Sequence, residues 1–183
     1  VVYLRGLSWM LGSGLGLGWL FSPSQVVNAL LRMRQNMGLH HNSMVQLVAA
    51  GLLRGEDYPA HLAWLRATLR GRRDALAAAL SRHLPDGVRW ARPEGGLYAW
   101  CSLPDGMDAG QLLERAGELG VTFAPGAMFY AQGGGENALR LAIGLRGEDE
   151  ITEGARRLGR AVAECLGRPP TCRPDPCLKR AFV

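Results

Sequence analysis

Between Tyr58 and Leu84 the leucines at 62, 65, 69, 76, 80 and 84 recur at the spacing of a single helix face. This spacing predicts one long amphipathic helix, with arginines 66, 70, 72, 73 and 82 mostly on its wet side and Pro85-Asp86-Gly87 stopping it. So long a connecting helix fixes the plan of the chain, because whatever precedes it and whatever follows it must each find its own packing partners.

Before it, Val1 to Leu4 and Leu15 to Phe21 are apolar runs that read as buried strands on either side of a glycine-rich turn. Ser22-Pro23-Ser24 is expected to cap a helix with apolar positions Val26, Val27, Leu30, Leu31 and Met33, ended by Gly38. His40-His41-Asn42 reads as a polar turn. Ser43 is expected to cap a short helix through Leu53, and Arg54-Gly55-Glu56-Asp57 forms the next break. After the long helix the pattern alternates: strands at Val88-Trp90 and Gly96-Leu103, a helix from Asp108 to Leu119, strands at Val121-Phe123 and Ala138-Gly144, and a helix from Glu148 to Leu166. Such alternation predicts an α/β or α+β layered domain, a small sheet with helices on one face. No pattern repeats at a fixed period, and the Pro-, Arg- and Cys-rich stretch 167 to 183 reads as an irregular tail.

Composition removes several functions. The net charge of +5 comes from basic residues spread along the chain and mixed with carboxylates, with no DNA-reading motif beside them, so this segment is not expected to bind nucleic acid. Of the 21 basic side chains only Lys179 is a lysine. Cys101, Cys165, Cys172 and Cys177 lack both the paired spacing of a zinc site and the density of a secreted scaffold, so no metal is expected and the setting reads as reduced and cytoplasmic. Cys172 and Cys177 flank Arg173-Pro174-Asp175-Pro176 and are spaced to close a small loop in an oxidising environment. Trp9 to Phe21 has neither the flanks of a signal peptide nor the length of a membrane span. Gly12, Gly14, Gly16 and Gly18 miss the dinucleotide fingerprint, because Leu17 stands where its third glycine would be.

Four segments carry a family likeness. Val2-Tyr3-Leu4-Arg5-Gly6-Leu7-Ser8-Trp9 and its continuation to Trp19 resemble the aminotransferase segment Tyr-x-x-(Ser/Thr)-Phe-Ser-Lys-x-x-x-Pro-Gly-Leu-Arg-(Leu/Ile)-Gly. Pro93-Glu94-Gly95-Gly96-Leu97-Tyr98-Ala99-Trp100 is similar to Pro-x-Gly-Gly-(Met/Leu)-(Phe/Tyr)-x-Trp. Pro125-Gly126-Ala127-Met128-Phe129 is similar to the Pro-Gly-x-x-Phe loop, and Asn137-Ala138-Leu139-Arg140-Leu141-Ala142 resembles the stretch with the carboxylate-binding arginine. The four stand in family order. The chain thus resembles class I/II, fold-type I aminotransferases that use pyridoxal 5'-phosphate (PLP), especially 2-aminoadipate aminotransferases and the aminotransferase-like domain of MocR-type transcription regulators.

The resemblance implies the C-terminal part of that fold. Residues 1–57 would end the large, PLP-binding domain, 58–166 would be the connecting helix and small domain, and 167–183 the tail. It implies amino-group transfer between an amino acid and a 2-oxo acid, and a homodimer in the full-length family. It places Ser8 at a phosphate-contacting position and Arg140 on a substrate carboxylate. It also places Trp9 where the family has its imine-forming lysine, and Gly16 where an arginine grips the cofactor phosphate. An indole nitrogen is a donor only and cannot form an imine, so impaired catalysis is expected. Taken by itself, Trp9 in an apolar run reads as a core residue, or as one that stacks on a bound ring. The alternative reading is a non-catalytic ligand-sensing domain of a MocR-type regulator, in which any contact with nucleic acid would come from an upstream DNA-binding domain.

Overall fold

The computed structural model describes residues 1–37 and 42–167. The expectations for Gly38, for His40 and His41, for the Cys172/Cys177 pair and for the tail from 168 lie outside the described residues. The chain forms two compact units, Val1–Arg66 and a second from Ala67 onward.

In the first unit, β1 (Tyr3–Gly6) and β2 (Gly18–Phe21) pair antiparallel, Tyr3 opposite Phe21 and Gly6 opposite Gly18. Between them lie a one-turn helix, α1 (Ser8–Leu11), and a 3-10 turn over Ser13–Leu15, where the sequence suggested only a turn. The two strands are exposed rather than buried. Each pairs only with the other among the described residues, and Tyr3, Leu4, Trp19 and Phe21 are all exposed. Gly18 is required by contact, since a Cβ there would lie 2.8 Å from the Arg5 carbonyl oxygen on the facing strand.

Helix α2 (Ser24–Met37) follows without the expected cap from Ser22: its hydroxyl is buried with no hydrogen-bond partner among the described residues, and the Pro23 carbonyl accepts from Val26 and Val27. Helix α3 (Ser43–Arg54) is capped one residue earlier than expected. Asn42, not Ser43, accepts from the Val45 N–H at 3.2 Å, because its extended backbone places the side-chain oxygen under the first turn.

The long helix α4 (Tyr58–His83) forms as its leucine spacing predicts, but only its later part is buried, at Leu76, Ala79 and Leu80. The second unit holds a four-stranded antiparallel sheet in the order β3 (Arg89–Trp90), β4 (Tyr98–Ser102), β6 (Ala138–Ala142), β5 (Ala124–Pro125). Ala99 and Cys101 of β4 and Leu139 and Leu141 of β6 point to one face. There Leu112 of α5 (Ala109–Glu118), Leu158 and Val162 of α6 (Glu148–Leu166), and Leu76 and Leu80 of α4 complete the core. Each buried leucine contributes about 2 kcal/mol. Burial also pushes the Cys101 thiol up to about 12, which keeps it protonated and unreactive at neutral pH.

The expected strand at Val121-Phe123 is not formed. The Val121 N–H closes back on the Ala116 carbonyl at 2.9 Å, so the chain is still ending α5 there, and pairing with β6 begins only at Ala124. Asp108 caps α5 through the Gln111 N–H. Helix α6 begins on Glu148, Asp149 and Glu150, whose charges suit the positive end of its dipole. Among the described residues no helix is long and apolar enough to cross a membrane.

One pH dependence follows from α6. Hydrogen bonds from Arg156 and Arg157 hold the Glu153 carboxyl down at about 2, below its ordinary 4.5. A depressed folded-state value means that this stabilisation is in place above pH 4.5 and is lost as the pH falls toward 2. Glu153→Gln is therefore expected to flatten the fall of the urea midpoint across that acid window. An unchanged slope in the variant would remove Glu153 from the account.

Candidate active site

The first group of candidate residues lies on the loop between β1 and β2. Leu7 is buried, its N–H donates to the Leu17 carbonyl at 2.8 Å, and it anchors the turn from which Ser8 and Trp9 project. The Met10 carbonyl is fastened to His61 Nε2 at 2.7 Å, and the Tyr58 hydroxyl donates to the Met10 sulfur at 3.7 Å. This part of the loop is therefore held on both sides of Trp9. Trp9 is 62% exposed and is not the core residue its apolar setting suggested. The buried anchor of this turn is Leu7, so the neighbouring indole points outward. Ser8 is half-buried.

Gly16 ends the 3-10 turn in the left-handed region, at φ 53°, and a Cβ there would meet no atom within 4 Å. There is room for a larger side chain at this position, at the cost of a left-handed backbone. Position 9 offers no amine and position 16 no guanidinium. These two residues do not fit covalently held PLP.

The remaining candidate, Arg140, lies in the second unit at the middle of β6. It points to the face of the sheet opposite the helices, with Trp100 directly across on β4 and Ala124 across on β5. Its guanidinium carbon lies 4.0 Å from the centre of the Tyr98 ring and 4.3 Å from that of Phe129. Trp100 meets Phe129 edge-on, with centroids 5.7 Å apart, and Tyr130 lies beyond at 6.4 Å from Trp100. Among the described residues no carboxylate forms an ion pair with Arg140, whereas arginines 73, 92, 115, 146, 156, 157 and 160 are paired.

Two glycine positions shape this region. Phe129 rides on a 3-10 turn (Gly126–Phe129) seated directly on β6: a Cβ on Gly126 would lie 2.6 Å from the Ala138 Cβ and 2.6 Å from the Gly135 carbonyl oxygen. Gly96, at φ 84°, turns the chain into β4 just before Tyr98. Sequence reasoning offered Arg140 as a candidate but assigned no role to Tyr98 or Phe129. The available signal was the aromatic content of Tyr98-Ala99-Trp100 and Met128-Phe129-Tyr130 beside an arginine-bearing strand.

The sequence model for aminotransferase class I and II matches residues 1–158. The chain is 38% identical over 166 residues to the 2-aminoadipate transaminase of Thermus thermophilus, covering 91% of this chain and 42% of that relative. It superimposes with a TM-score of 0.86 and 37% identity on a crystal structure of LysN, the α-aminoadipate aminotransferase of that organism, complexed with N-(5'-phosphopyridoxyl)-L-leucine; the match covers 91% of this chain and 42% of that one. An HTH-type transcriptional regulator of Bacillus subtilis is 29% identical over 168 residues, 92% of this chain and 34% of the regulator. The chain therefore belongs to the aminotransferase class I and II family, whose members are PLP-dependent and of fold-type I. It spans 42% of the length of the 2-aminoadipate transaminase it matches.

Proposed function

We propose that this chain is the C-terminal part of an aminotransferase-like protein that holds the carboxylate of an amino acid or 2-oxo acid on Arg140 and in which amino transfer is impaired. Within this reading, residues 1–57 end the large domain and 58–166 form the connecting helix and small domain. The observation that carries it is the pairing of a retained guanidinium, with no carboxylate partner among the described residues, with an exposed indole at the position of the imine-forming lysine. PLP, when bound, supplies the electron sink for amino transfer. What this chain itself offers is a carboxylate clamp at Arg140 and a Trp9 side chain that can neither bond to the cofactor nor move a proton. Ser8 is proposed for a phosphate contact, the position the family resemblance gives it. The full-length protein is proposed as a cytoplasmic homodimer.

The similarity to an HTH-type regulator supports a second reading, in which the same carboxylate site senses a ligand and an upstream domain contacts DNA. Calorimetry with a panel of amino and 2-oxo acids tests the common element. Arg140→Ala is expected to weaken the best ligand by about thirtyfold or more, since removing one partner of a charge-assisted pair costs about 2 kcal/mol or more. Binding that is indifferent to Arg140, or no binding of any acid to the wild-type chain, contradicts the proposal.

A further inference from the structure

Among the described residues, seven other arginines of the second unit are paired with aspartate or glutamate, and Arg140 is not. Its planar cation instead has the Tyr98 ring on it at 4.0 Å and the Phe129 ring at 4.3 Å. Aromatic faces attract a guanidinium, and a half-buried one more strongly than one in free solvent. A neutralising carboxylate would use up the N–H donors that a ligand needs, whereas an aromatic ring carries no carboxylate oxygen to claim them. Resting on the carboxylate-clamp reading above, we propose that Tyr98 and Phe129 are positioning residues. They fix the plane of the Arg140 guanidinium and keep its N–H edge open for in-plane, two-point binding of a carboxylate.

The fold supplies both rings from fixed backbone. Tyr98 lies two residues before Trp100, the direct cross-strand neighbour of Arg140, so it sits diagonally across the ladder, within reach of a long side chain. Phe129 comes from the turn that Gly126 presses against Ala138, and the edge-on contact with Trp100 holds its ring in place. Ala124 on the other neighbouring strand is small and leaves the arginine uncrowded. Holding the fork in place before the ligand arrives removes the freedom that a long side chain would otherwise lose on binding.

The test uses the full chain, 4-methyl-2-oxopentanoate as calorimetric probe, and the Arg140 Nε–H proton signal in NMR. Tyr98→Leu and Phe129→Leu are each expected to weaken the probe by about tenfold, the size of one good cation–π contact. Tyr98→Phe and Phe129→Tyr, which keep the rings, are expected to restore affinity. In the wild type the Nε–H resonance is expected upfield, shifted by the two rings, and each leucine variant is expected to lose part of that shift. Leucine variants that melt and bind like wild type, while Arg140→Ala does not bind, overturn the positioning role and leave the carboxylate clamp standing. Should the wild-type chain not bind the probe, the clamp falls, and the NMR signal still decides the ring contacts: an Nε–H at its unperturbed position, exchanging freely, overturns them.

Discussion

Replacing Gly159 with alanine is expected to destabilise the second unit by about 3 kcal/mol, the upper part of the range for overpacking a tight core. Gly159 is buried on α6, where that helix crosses the end of α4. A Cβ added there would clash with the His83 carbonyl oxygen and lie 2.8 Å from its carbon. Both are backbone atoms at the helix terminus, so no rotamer change relieves the clash and the two helices must separate. Separation would loosen Leu158 and Val162, which fill the core between α6 and the sheet. Gly154, five residues earlier on the same helix, is the control, because a Cβ there meets nothing within 4 Å. Gly154→Ala is expected to stabilise by about 1 kcal/mol through helix propensity alone. Urea denaturation of the two variants reads the difference directly, and equal midpoints would show that the α4–α6 crossing is not as tight as described.

The second large effect is a gain of chemistry. Trp9→Lys is expected to leave stability within about 0.5 kcal/mol, because the side chain it replaces is mostly exposed. It supplies the amine that position 9 lacks. Reduction with borohydride in the presence of PLP is then expected to label residue 9, where the wild type has nothing to label. Gly16→Arg as a second step has open space for its side chain but takes on a left-handed backbone at φ 53°, costing about 1 kcal/mol of stability. In return it is expected to tighten cofactor binding by about tenfold through a charge-assisted bond to phosphate. If Trp9→Lys takes up no label, the departure from the family extends beyond position 9.

How far the sequence spoke for the fold differs between elements for physical reasons. Helices α4 and α6 lie where the apolar spacing put them, because a 3.6-residue stripe that packs on a core leaves a long, repeated signal. The run Val121-Phe123 looked like a strand because β-branched Val121 and Thr122 and aromatic Phe123 favour extended chain. Its backbone, however, is committed to closing α5 through Ala116, a hydrogen bond that composition does not reveal. Asn42 and Ser43 are both good caps, and only the backbone angles choose between them. The apolar runs of β1 and β2 were read as buried because a strand of that composition normally has layers over it, and here both are exposed. As candidates, Arg140, Trp9 and Gly16 were legible through motif order. The rings on Arg140 were not, since Tyr98 and Phe129 meet it only through strand register and a glycine-seated turn, and one sequence carries no record of such pairings.

The most direct test of the central claim concerns position 9 in the unaltered chain. The protein is mixed with PLP, reduced with borohydride and mapped by peptide mass spectrometry, beside a Lys179→Ala variant. Because Lys179 is the only lysine, label is expected on that residue or on the terminal amine alone, and any absorbance at the edge of the visible is expected to vanish when both are removed or blocked. A cofactor band that persists in the blocked Lys179→Ala protein, and that Arg140 ligands perturb, would contradict the account.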